Sequence, residues 1–88
     1  MIVGQMVKVK RGRDKDSFMV VLKIEDGYLL LVDGRRRKLC KPKRKNIKHV
    51  SSTNVVVNLV PDCGRALQDA DIRKALSTFV LKEVSHIV

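Results

Sequence analysis

Apolar and polar residues alternate from the start of the chain. In Q-M-V-K-V-K, residues 5–10, Val7 and Val9 fall on one side and Lys8 and Lys10 on the other. That period marks a strand with one buried face, because successive side chains of an extended chain point to opposite sides. A charged stretch, residues 11–17, interrupts the pattern. It resumes over 18–25 as F-M-V-V-L-K-I-E, where Phe18, Val20, Leu22 and Ile24 share a face and the other face turns polar at Lys23 and Glu25. Asp26-Gly27 follows directly, a pair that tolerates the positive backbone angles of a type I′ turn. Residues 28–32, Y-L-L-L-V, then supply the returning strand of a hairpin.

Asp33-Gly34 is another turn signal, after which residues 36–40 read as a short basic strand ending near Pro42, which has no N–H to give to a ladder. Further strands are expected at 46–50 and, past the polar Ser51-Ser52-Thr53, at 55–60, making five or six in all. Short strands at this spacing, separated by turns, indicate a small barrel or sandwich rather than a helical bundle. Residues 61–64 break the pattern. Beyond them L-Q-D-A-D-I-R-K-A-L-S-T-F brings Leu67, Ile72, Ala75, Leu76 and Phe79 near one helical face, with Gln68 or Asp69 near the start and acids in the first turn complementing the helix dipole. Residues 80–88 have no clear period, leaving helix and strand both open. The chain reads as mainly β: a small barrel with a basic face over 1–60, then a C-terminal helical extension over 61–88.

Composition sharpens this. Eighty-eight residues make one small domain that buries about 60–65% of its unfolded surface. Cys40 and Cys63 have no Cys/His spacing that forms a zinc site; free thiols are expected, with Cys40 in the core and one disulfide left open. No secretory leader is evident, and the longest apolar runs, such as 18–22, are far below the ~18–20 residues of a spanning helix, so a soluble, cytoplasmic protein without membrane contact is expected. His49 and His86 are too isolated to bind metal. The nine acids form no evident metal pair, neither cysteine has a partnering histidine and acid, and no phosphate-cradling glycine loop is present. An enzyme is not expected, nor a cofactor.

The formal charge of +10 is uneven: residues 1–50 hold fifteen Lys/Arg against five Asp/Glu, and residues 51–88 hold four of each. Residues 35–48, R-R-R-K-L-C-K-P-K-R-K-N-I-K, carry nine basic side chains and no acid. So dense a block of one sign repels itself and calls for a polyanion, nucleic acid being the commonest. The competing reading is a solvated positive face, although solubility alone favours mixed signs. Arginine forks match phosphate oxygens in pairs, so Arg35, Arg36, Arg37 and Arg44 are candidate positioning contacts, with Lys38, Lys41, Lys43, Lys45 and Lys48 as point charges. If 35–37 is a strand, Arg36 faces away from Arg35 and Arg37. About six to eight of these groups are expected to reach phosphate together. Asn46 either bonds a base edge or caps the turn into 47–50, and His49 is a further candidate for phosphate. With no Trp, a single Tyr28, and Phe18 and Phe79 in apolar patterns that read as core, stacking of successive bases is poorly supplied and shape recognition of folded RNA is favoured.

The stretch G-Q-M-V-K-V-K-R-G-R-D-K-D-S-F-M-V-V, residues 4–21, resembles the KOW motif. V-D-G-R-R-R at 32–37, K-R-K-N-I-K-H-V at 43–50 and L-Q-D-A-D-I-R-K-A-L at 67–76 look like parts of the archaeal and eukaryotic large-subunit ribosomal protein fourteen-e family. The resemblance covers most of the chain and implies an SH3-like barrel of KOW type that binds ribosomal or other structured RNA, in translation or ribosome assembly. It also implies that the loop carrying Arg11, Gly12, Arg13 and Lys15 and the later basic run both face phosphate, while the helix packs on the barrel or on a neighbouring ribosomal protein. Two departures stand out. Asp16 occupies the place of the motif's usual second glycine, where aspartate tolerates a left-handed backbone better than most residues, and the link from Gly34 to the basic triplet is shorter than in archaeal members. The alternatives are a transcription-associated KOW module contacting protein and a DNA-binding protein.

Overall fold

The computed structural model describes residues 1–59 and 66–85. Five antiparallel strands form one sheet: β1 (Gln5–Val9), β2 (Phe18–Glu25), β3 (Tyr28–Val32), β4 (Lys43–Asn46) and β5 (Val50–Val56), in the order β4-β3-β2-β1-β5. A 3₁₀ turn, Ile47–His49, joins β4 to β5, and the helix α1 (Asp69–Ser85) follows. The chain is thus mainly β with one C-terminal helix.

The short β4–β5 connection forces curvature. The two strands are opposite edges of the sheet, and four strand spacings of ~4.8 Å would hold them ~19 Å apart if it were flat. The four peptide steps from Asn46 to Val50 reach at most ~14 Å, and a 3₁₀ turn reaches less. The sheet therefore curls, and its concave face closes on Val7, Val9, Met19, Val21, Leu29, Leu31 and Val50, with Ile47 packed against them. Two backbone bonds hold the connection down: Ile47 N–H donates to the Gly27 carbonyl (3.1 Å) and Lys10 N–H to that of His49 (2.8 Å).

The convex face is buried as well. Ile72 and Phe79 of α1 lie on Met6, Val20 and Val32, with Phe18, Leu22, Ala75 and Leu76 packed around them. Phe18 and Phe79 meet edge to face at 5.0 Å between centroids, so both aromatic rings contribute to this layer as expected. Burial on both faces accounts for the uninterrupted apolar runs of β2 and β3, where alternation fades. Fully burying a side chain such as Ile72 contributes about 1.5–3 kcal/mol. At its start, the helix is tied down by Asp71, whose Oδ2 accepts from Gln68 N–H (2.9 Å), and by Asp69, whose Oδ1 accepts from Leu39 N–H (2.8 Å).

Several expectations are corrected. Ile24 does not share the face of Phe18, Val20 and Leu22: the β2–β3 register shifts between Val21 and Lys23, and this bulge moves Ile24 opposite Leu29, where it is 39% exposed. The two-residue Asp26-Gly27 hairpin forms, but positive φ falls on Gly27 alone (71°), so the turn is not type I′. Residues 36–40 are not a strand; the fourth strand begins at Lys43. The two strands expected at 46–50 and 55–60 are instead the end of β4, the 3₁₀ turn and one continuous β5 running through Ser51-Ser52-Thr53. Cys40 is exposed rather than in the core. Residues 80–85, whose pattern fits helix and strand equally, continue α1. Cys63, the 61–64 breaker, Val60 and residues 86–88 lie outside the described residues.

Candidate nucleic-acid interface

The β1–β2 loop, residues 10–17, is tightly turned on itself. Asp16 N–H donates to the Val9 carbonyl (2.7 Å), Lys15 N–H to that of Gly12 (3.1 Å) and Ser17 N–H to that of Asp14 (2.9 Å). Gly12 and Asp16 supply the reversals, with φ of 92° and 69°. Asp16, the residue read as replacing a glycine, does take the left-handed conformation. Substituting Asp16→Val, whose branched side chain is strained there, is expected to lower stability by about 1–2 kcal/mol, while Asp16→Gly stays within about 0.5 kcal/mol; urea unfolding of the two variants measures the difference.

The β3–β4 loop, residues 33–42, is organised by one carboxylate. Asp33 Oδ1 accepts from the backbone N–H of Arg35 (2.8 Å) and of Arg37 (2.9 Å), and the Arg37 carbonyl in turn accepts from Asp33 N–H (2.9 Å). The basic triplet is therefore wound around Asp33, and strand alternation does not decide which arginines face outward. Arg35 and Arg36 are exposed; Arg37 turns inward. Its Nη2 and Nε lie 3.0 and 3.3 Å from Oδ2 of Asp14, a buried carboxylate in the other loop. Arg37 is thereby removed from the set of outward phosphate contacts: its fork holds the two loops together instead.

Two further contacts gather the basic segments. Lys45 Nζ reaches over Gly12, where a Cβ would come within 2.5 Å of it, and the φ of 92° at this position favours glycine. The Lys10 to His49 backbone bond sets the 3₁₀ turn, with exposed Lys48, beside the start of the same loop. These contacts gather three basic segments into a rim: the first loop with exposed Arg11, Arg13 and Lys15, the second with exposed Arg35, Arg36, Lys38 and Lys41, and β4 with half-buried Lys43 and Lys45.

Other candidates take different places. Arg44 pairs with Leu30, on the side of β4 opposite Lys43 and Lys45, and its guanidinium stacks 4.2 Å over the Tyr28 ring. Asn46 caps the 3₁₀ turn, its Oδ1 accepting from Lys48 N–H (2.9 Å), so the capping alternative is realised. His49 is half-buried. Asp16 sits 3.9 Å from Lys8 at the surface, a contact worth little. Sequence reasoning missed Asp14, and nothing in its twenty-three-residue separation from Arg37 signals the pair. It also missed Arg73, whose Nη1 donates to the Gly34 carbonyl (2.7 Å) and ties α1 to the second loop.

Among the described residues no three His, Cys, Asp or Glu side chains are grouped to hold a metal ion, and no helix is long and apolar enough to cross a membrane. No protein-family model matches the chain, and no curated protein is significantly similar to it.

Proposed function

We propose that the protein is a non-catalytic RNA-binding module that grips the phosphates of folded RNA with the rim built from residues 10–17 and 33–48. The observation that carries this reading is the joining of separate basic segments onto one rim by three contacts: Arg37 with Asp14, Lys45 over Gly12, and Lys10 with His49. Fixed loops present their cations with much of the ordering entropy already lost before binding. The strand order, the 3₁₀ turn between the last two strands and the glycine-bearing first loop support an SH3-like barrel of KOW type. The resemblance to the ribosomal fourteen-e family makes ribosomal RNA the proposed target, in translation or ribosome assembly. Recognition is by backbone shape, since the one tyrosine is engaged by Arg44.

Crosslinking in cells followed by sequencing of the bound RNA tests this. Ribosomal RNA is expected to dominate the crosslinked fragments, with protein crosslinks mapping to the two loops. Recovery of duplex DNA or of protein partners without RNA contradicts the reading.

A further inference from the structure

Between α1 and the two basic loops the surface opens into a groove of about 530 Å³, within the ~300–1,000 Å³ range of small-molecule sites. Phe18 and Leu76 are its apolar lining residues, and Arg35, Arg73, Ser17 and Ser77 line it beside them. Arg73 is held in place by the bond it gives to the Gly34 carbonyl, and a guanidinium has four other N–H donors. The lining acid, Asp33, directs Oδ1 to two backbone N–H groups of its own loop. The groove therefore combines an aromatic and aliphatic lining with two positive forks, which complements a ligand with one flat apolar part and one anionic part.

We infer that this groove receives a single unpaired nucleotide of the bound RNA, its base on Phe18 and Leu76 and its phosphate between Arg35 and Arg73. The inference rests on the RNA-binding reading and adds to it a specific structural element of the target, an extruded base beside a helix. Arg35 belongs both to the rim and to the groove, so the phosphate path along the second loop leads directly into it. Phe18 is only partly buried: it meets Phe79 edge to face and has Lys8 Nζ 5.9 Å from its centroid, so the base would lie on the part of the ring that these neighbours leave open, together with Leu76.

The test compares two hairpin RNAs, one fully paired and one with a single bulged purine, by fluorescence anisotropy, with a nucleoside monophosphate as a third probe. The protein is expected to prefer the bulged hairpin by about tenfold, the scale of one base stacked on an aromatic side chain. Ser77 is exposed on α1, so Ser77→Trp fills the groove and Ser77→Glu sets a negative charge between the arginines without disturbing the core. Both variants are expected to lose the preference; Ser77→Trp adds no charge and binds the paired hairpin as before, whereas Ser77→Glu, beside the rim cation Arg35, weakens binding of the paired hairpin by no more than the loss of one cation. Equal affinity of the wild-type protein for the two hairpins, retention of the preference in both variants, or binding of the monophosphate as tightly as the bulged hairpin overturns the inference. Failure to bind either hairpin contradicts the RNA-binding reading itself.

Discussion

Replacing Arg37 with alanine is expected to lower the unfolding free energy by about 2–3 kcal/mol, more than an ordinary surface substitution costs. Asp14 is 6% exposed, and the Arg37 fork is the partner that compensates its charge. Truncating the arginine strands a buried carboxylate, a change that costs about 3–5 kcal/mol in a fully enclosed pair; the Arg37 side chain is 30% exposed, so water relieves part of the loss. Asp14→Ala is expected to cost less, because the long arginine stem can then carry its charge to solvent. The double variant is expected to depart from additivity by about 1–2 kcal/mol. Urea unfolding of the three variants checks this, and additive losses below about 0.5 kcal/mol each mean that the pair does not tie the loops. On the proposed RNA-binding reading, the same interaction has a functional consequence: Arg37→Ala is expected to weaken RNA binding through loosened loops. Substituting Arg35, Arg37 and Arg44 together would therefore not separate binding from folding, although charge alone groups the three as phosphate contacts.

A sharper separation comes from the exposed rim. Changing Arg35, Arg36, Lys38 and Lys41 together to alanine is expected to weaken binding of a structured RNA by about 100-fold or more, at about 0.7–1 kcal/mol for each phosphate that no longer meets its cation. None of these side chains carries an internal hydrogen bond or ion pair among the described residues, so stability should stay within about 0.5 kcal/mol per site. Arg44→Ala serves as the counterpart: its group lies on the other side of β4, stacked on Tyr28, and its removal should change affinity far less. Filter binding and thermal unfolding on the same preparations decide the matter. A quadruple variant that binds as well as the wild type removes this rim as the interface.

The elements that the sequence made legible are those decided by local chemistry. Asp26-Gly27 between two apolar runs could hardly be anything but a hairpin, and the spacing of Leu67, Ile72, Ala75, Leu76 and Phe79 defined the face by which α1 packs. Asp16 in the left-handed region and Asn46 at the head of the 3₁₀ turn also follow from the preferences of single side chains. What stayed hidden depends on pairing between distant segments. The bulge at Leu22 that turns Ile24 outward is a property of the β2–β3 register and leaves no mark on the alternation. Residues 36–40 read as strand because nothing nearby shows that Asp33 draws the N–H groups of Arg35 and Arg37 into a loop. The continuity of β5 through Ser51-Ser52-Thr53 reflects its place at the sheet edge, where exposed polar residues are tolerated. As for the basic site, its members were readable from charge, but the inward turn of Arg37 and the separate side taken by Arg44 required the fold.

The dependence of RNA affinity on salt tests most directly whether the rim acts as a phosphate grip. With about six to eight cations engaged, the logarithm of the association constant should fall against the logarithm of salt concentration with a slope of about −4 to −7, and the quadruple rim variant should flatten it by about 3. A slope near zero, or one that the four substitutions leave unchanged, would contradict the account.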